Sequence, residues 1–178
     1  MSNFPRLLED QIPRLRRYAH ALTRDATRAD DLVQNCLVRA LAKQHLWQPA
    51  TDLRAWLFTI LHNQHVNDTR SALREGVHID HEATRSIPAV APNAMASLQL
   101  RDLERAIAML PKSQRQAILL VGLEGMRYDE VARTLDVPVG TIRSRLSRGR
   151  AMLGKLMRGR REMTRRERRK PGYADRAA

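Results

Sequence analysis

The chain has 178 residues, 43% of them hydrophobic, 29% charged and 4% aromatic. The apolar fraction excludes a wholly disordered chain, and few aromatics with only 8 Gly and 8 Pro argue against an all-β domain. A formal charge of +13 points to a polyanionic partner, nucleic acid first and an acidic membrane second.

The apolar residues Phe4, Leu8, Ile12, Leu15, Ala19 and Leu22 recur at helical spacing, with Pro13 set to kink that helix or start a new one. A second helix is predicted from a cap at Asp25 to Thr27, with Ala29, Leu32, Val33, Cys36, Leu37, Ala40 and Leu41 facing inward. Asp30 and Asp31 are read into its first turn, where the helix dipole favours negative charge. Asp31, Gln34, Asn35 and Val38 lie on its outer face. The single cysteine, Cys36, reads as a small core residue and fits a reducing cytoplasm. A loop, Gln44 to Thr51, carries Trp47, which with Trp56 is expected to anchor the core.

Asp52 caps a third predicted helix with core residues Leu53, Trp56, Leu57, Ile60 and Leu61. Beyond Leu61, Asn63, Asn67, Arg70 and Arg74 form one polar stripe without a carboxylate, although Asp68 sits beside it. Amide and guanidinium groups are the types that read base edges and bind phosphates. His62 and His65 read as helix-surface residues. Neither this pair nor His78 and His81 has a cysteine or HExxH context, so no metal is expected.

Residues 76–94 lack helical periodicity and read as a flexible linker. Fully extended they reach about 65 Å, nearly two turns of B-DNA at roughly 34 Å each. Two modules could therefore occupy separate stretches of one duplex. The charge divides at this point. Residues 1–100 carry a net +2 and residues 101–178 a net +11, so the second half should be the main phosphate binder.

The second module opens with a helix through Leu100, Leu103, Ile107 and Leu110, broken by Pro111. A helix from about Ser113 to Leu123 ends at Gly125. Tyr128 to Leu135, the turn Asp136-Val137-Pro138 and a helix from Val139 to about Leu156 then read as a helix-turn-helix. Ile142, Leu146 and Gly149 or Leu153 face inward. The other face offers Thr141, Arg143, Ser144, Arg145, Ser147 and Arg148, with no acid from Val137 to Lys155. Such a face suits the major groove, where Arg bonds guanine bidentately and Ser or Thr reaches phosphates and bases. The tail, 157–178, has 9 Lys+Arg against 3 Asp+Glu and is expected to be disordered or a weakly helical basic arm.

No basic start precedes an apolar run, so no signal peptide is expected. The longest apolar stretch in the helical parts, Ala117 to Val121, falls far short of the about 20 residues that span a bilayer. Walker, dinucleotide-glycine and nucleophile-elbow patterns do not occur, so neither catalysis nor a cofactor is expected.

The run Tyr128-Asp129-Glu130-Val131-Ala132 … Val137-Pro138-Val139-Gly140-Thr141-Ile142-Arg143-Ser144-Arg145-Leu146-Ser147-Arg148 resembles the fourth conserved region of bacterial sigma factors, in particular the extracytoplasmic-function (ECF) group. Arg17-Tyr18-Ala19, Ala29-Asp30-Asp31-Leu32-Val33-Gln34 and Leu53-Arg54-Ala55-Trp56-Leu57-Phe58-Thr59-Ile60 resemble the second region in order and spacing. The resemblance implies an all-α chain of two small helical domains joined by a flexible linker, the second a helix-turn-helix. Their bounds would be 1–75 and 95–156. It implies a cytoplasmic protein, monomeric when free, that binds core RNA polymerase through Asp31, Gln34, Asn35 and Val38. Asn63, Asn67 and Arg70 would contact the melted minus-ten element. Thr141, Arg143, Ser144, Arg145 and Arg148 would read the minus-thirty-five element. Family habit adds an anti-sigma partner.

This chain departs from the family pattern at Asn67, where many members carry Asp, and at Asp136, where Gly is usual; Asp can also adopt a left-handed backbone. Two alternatives remain at this stage: a free-standing helix-turn-helix regulator, and a sigma mimic that titrates an anti-sigma protein.

Overall fold

A computed structural model describes residues 3–48, 51–74 and 94–168. Among the described residues the chain forms eight α-helices and no strand, as the helical periodicity predicts. The first four are α1 (Phe4–Glu9), α2 (Ile12–Thr23), α3 (Ala26–Ala42) and α4 (Leu53–Arg74). Pro13 separates α1 from α2 by standing in the first turn of α2, where its missing N–H would have had no partner anyway.

Asp25 caps α3, its side chain accepting from the Arg28 N–H at 2.8 Å, and Asp52 does the same for the Arg54 N–H at 2.9 Å. Asp30 and Asp31 lie past the first turn of α3, so the dipole no longer accounts for them. Asp30 instead pairs with Arg16 at 3.3 Å.

Helices α2, α3 and α4 pack around Leu15, Tyr18, Leu22, Leu32, Cys36 and Leu57. Tyr18 meets Phe58 edge-on, with ring centroids 5.2 Å apart. Cys36 is fully buried, and burial pushes its thiol up to about 12. Trp47 and Trp56 are only half-buried; they flank Phe4 at 5.3 and 6.3 Å and pin α1 to the body. Leu41 departs from its expected place and is 44% exposed. Along α3, each step of four residues advances about 40° around the axis, so the row Val33–Leu37–Leu41 drifts off the core.

The second body contains α5 (Ala94–Ala108), α6 (Lys112–Ile118), α7 (Tyr128–Thr134) and α8 (Val139–Arg168). The apolar run after Pro111 does not stay α-helical to Leu123. It widens into a π turn over Leu119–Leu123, and Gly125 ends it with φ +66°. Gly149 lies where α8 crosses α6; a Cβ there would meet Ile118 Cδ1 at 2.7 Å and Gln114 Cβ at 3.3 Å. That close approach explains a residue that otherwise costs a helix about 1 kcal/mol relative to Ala. α8 extends past Leu156 as far as Arg168, through Arg, Met and Glu residues that favour helix.

The two bodies pack against each other. Glu124, at the end of the π turn, is 3% exposed and receives two hydrogen bonds from Arg17 of α2, at 3.1 and 3.3 Å. Arg54 of α4 donates to the Glu124 carbonyl at 3.2 Å and approaches Glu130 of α7 at 3.6 Å. Thr59 donates to Thr134 at 3.3 Å. Burial first, and then the Glu124 charge, raise the Tyr18 hydroxyl well above the usual phenol range. The arrangement is closed, whereas the linker arithmetic allows modules far apart; of the expected linker, only Ala94 falls among the described residues.

Candidate nucleic-acid interface

The helix-turn-helix is assembled by local hydrogen bonding. The Arg127 N–H donates to Glu130 Oε2 at 2.8 Å, closing the first turn of α7. Asp136 adopts φ +50° in the turn, the left-handed backbone usually given to glycine. The Val137 N–H then reaches back to the Ala132 carbonyl at 3.0 Å. Val131, Leu135, Ile142 and Leu146 are buried between α7 and α8. Their burial fixes the rotation of α8 and therefore which residues look outward.

Arg143, Ser147 and Arg148 are exposed on α8, and Thr141 is half-buried. Ser144 Oγ donates to the Thr141 carbonyl at 2.9 Å, so its hydroxyl hydrogen is engaged within the helix. Arg145 is half-buried on the side toward α4, close enough to act on His62. Of the five candidates on this helix, Arg143 and Arg148 are therefore the freest.

Helix α4 carries Asn63, Asn67 and Arg70, all exposed along one stripe. Asp68 is occupied by Gln64, whose Nε2 donates to it at 2.6 Å. On α3, Asp31, Gln34, Asn35 and Val38 are all exposed, Val38 at 66%. Leu41, three residues on from Val38 along α3, is exposed as well, and the core-facing reading of Leu41 had concealed it.

His62 and His65 are not surface residues. His62 is 7% exposed and His65 half-buried, because α4 is covered here by the second body. Burial first, then Lys112 and Arg145, pull His62 down to about 4. Burial, then Lys112, His62, Arg115 and Arg28, do the same to His65. Both rings are neutral at pH 7. Among the described residues no group of three or more His, Cys, Asp or Glu could hold a metal; His78 and His81 lie outside them. No described helix is long and apolar enough to cross a membrane.

Residues 8–62 match the family described as the Sigma2 domain of PhyR, and residues 100–153 match Sigma-70, region 4. The ECF RNA polymerase sigma factor EcfG of Rhodopseudomonas palustris (strain TIE-1) is 40% identical over 146 residues, 82% of this chain and 80% of that protein. The chain belongs to the ECF sigma factor family. RNA polymerase sigma factor HrpL of Pseudomonas syringae pv. syringae is 35% identical over 156 residues, covering 83% of each chain. Among solved structures, the sigma factor RpoE in complex with the anti-sigma factor NepR from Bartonella quintana superposes with a TM-score of 0.75 at 37% identity. That match covers 89% of this chain and 98% of that one.

In this ECF sigma factor the two bodies meet so that Arg145 of α8 lies close enough to act on His62 of α4. The sequence had marked both helices but not the residues of the seam. Arg17 and Glu124 are 107 positions apart, and no local pattern joins them.

Proposed function

We propose that this ECF sigma factor directs core RNA polymerase to specific promoters and assists their melting, with no catalysis of its own. The observation that carries the reading is the face of α8: Arg143 and Arg148 stand free on a helix held by a helix-turn-helix, with no acid from Val137 to Lys155. In the major groove, Arg143, Arg145 and Arg148 supply guanidinium forks for base edges and phosphates, and Thr141 and Ser144 supply hydroxyl oxygens. The free N–H groups at the start of α8 favour a phosphate.

Asn63, Asn67 and Arg70 carry the minus-ten contacts, since amides bond base edges that melting exposes. Asn67, in place of the common Asp, adds donors and removes a negative charge that strand phosphates would repel. Asp31, Gln34, Asn35 and Val38 form the polymerase-docking face; exposed Val38 and Leu41 give it the apolar area that a stable interface needs. Polymerase places this work in the cytoplasm.

The closed arrangement leaves Arg145 half-buried, so base reading by Arg145 requires the bodies to separate. An anti-sigma protein that favours the closed form would hold the factor silent, a reading supported by the likeness to a sigma factor bound to its anti-sigma partner. Run-off transcription with purified core polymerase and a matched promoter tests the proposal. Promoter-dependent product is expected; its absence with active polymerase and folded protein rejects it.

A further inference from the structure

A cleft of about 380 Å³ opens where the two bodies meet, and neither Arg17 nor Glu124 lines it. Its walls come from the end of α2, from α3 and α4 and from the first turn of α6, and its titratable groups are Arg28, Asp31, His65, Asp68, Lys112 and Arg115. Three cations and two carboxylates line it, and the cations are not ion-paired with either carboxylate. Among the described residues, no carboxylate pairs with Arg28, Lys112 or Arg115. Asp68 is engaged by Gln64, and Asp31 stands exposed at the rim.

Arg115 is fixed in place. Its Nη2 donates to the carbonyls of Ala108 and Leu110 at 2.8 and 3.0 Å, while its Nε is buried and has no acceptor. Arg24 and Arg70 lie near enough to add to the positive field. Burial first, then Arg115 and Arg70, lower the Lys112 ammonium below its ordinary range. Cations gathered from both bodies repel one another across the join, and a buried guanidinium N–H without an acceptor adds a desolvation cost. An anion between them would relieve the repulsion.

We propose that this cleft binds a small phosphorylated anion, from pyrophosphate to a nucleoside polyphosphate, which bridges α3 and α4 to α6 and holds the two bodies together. The chemistry fits that class. Phosphoryl oxygens accept from Arg28 and Lys112, the Arg115 guanidinium adds its charge from the wall, and neutral His65 adds a ring donor. The volume falls at the small end of the range that ligand pockets occupy, roughly 300–1,000 Å³. A duplex is too wide for the site, which distinguishes it from the face of α8. The binding claim stands independently of promoter recognition, because it concerns the free protein.

The test uses the full chain without polymerase or DNA. Inorganic pyrophosphate is titrated calorimetrically at constant ionic strength, with a fluorophore pair reporting the distance between the bodies. Saturable binding of one pyrophosphate per chain is expected, together with a narrower spread of inter-body distances. Replacing Arg28→Gln and Lys112→Gln together should weaken binding at least tenfold. The pair Arg6→Gln and Arg14→Gln, which removes the same charge from exposed positions outside the cleft, should leave it within twofold. Three results each overturn the proposal: no saturable binding, equal weakening in both double variants, or binding of an acidic hexapeptide but not of pyrophosphate. The last would assign the cleft to a protein partner.

Discussion

Arg16 and Arg17 are neighbours on α2, each facing one carboxylate at nearly the same distance, and they do different things. Arg16 meets Asp30 at 3.3 Å with both side chains about half exposed. Arg17 meets Glu124 at 3.1 Å, and the Glu124 side chain is fully buried. The first pair stays within one body and in water, where solvent screens it and side-chain entropy opposes it. The second joins two bodies, and its carboxylate has no water to return to while they stay closed. The difference lies in the medium around the carboxylate, since both pairs set a guanidinium against a carboxylate at similar distances. Charged residues therefore decorate the outer side of α2 and clasp its inner side.

The largest effect should come from inverting the clasp. Glu124→Lys sets a cation against Arg17 and Arg54 in a buried seam, and breaking a buried pair in this way costs about 3–5 kcal/mol. The closed form should give way to an extended one, read as a larger radius of gyration in small-angle scattering. Adding Arg17→Glu restores opposite charges and should recover part of the compaction. A Glu124→Lys chain that stays compact would show that apolar packing alone holds the seam.

The seam should also respond to acid. His62 and His65 fall from 6.5 to about 4 on folding, so the folded protein holds them neutral while the unfolded chain protonates them. Their stabilisation is fully present above about pH 6.5 and is lost as pH falls toward about 4, by on the order of a few kcal/mol for the pair. Urea unfolding measured from pH 7 to pH 4.5 should show the loss, and His62→Gln with His65→Gln should flatten it. An unchanged slope in that variant would place the acid sensitivity elsewhere.

On α8 the opposite regime applies, because its guanidinium groups face solvent and await a partner. Arg143→Ala should weaken holoenzyme binding by about 1–3 kcal/mol and relax preference at one promoter position if it reads a base. A uniform loss over all promoter sequences, with a shallower salt dependence, would make it a phosphate contact.

Much of the region-four body was legible because its determinants are local. The Asp136 turn, the Ile142–Leu146 stripe and the Pro111 break each show within a few residues of sequence. The π turn was not legible, since a run such as Leu119–Leu123 satisfies an α pattern equally well. His62 and His65 read as surface residues because what covers them, near Lys112, lies some fifty positions away. The outward face of α8 could be read from periodicity, but the half-burial of Arg145 could not. That depends on where α4 lies, and only the closed packing sets it.

The smallest effect closes the comparison with which α2 began. Arg16→Ala removes the exposed partner of Asp30, and both ends remain hydrated afterwards. The change in stability should be about 0–1 kcal/mol, with no change in compaction. Arg17→Ala, one residue on, should open the molecule measurably in the same scattering experiment, because it leaves Glu124 buried without its guanidinium. Equal behaviour of the two variants would mean that burial of the carboxylate is not what separates a surface ion pair from a clasp. The weight of the seam would then fall on Arg54, which holds the Glu124 carbonyl and neighbours Glu130 from the other side.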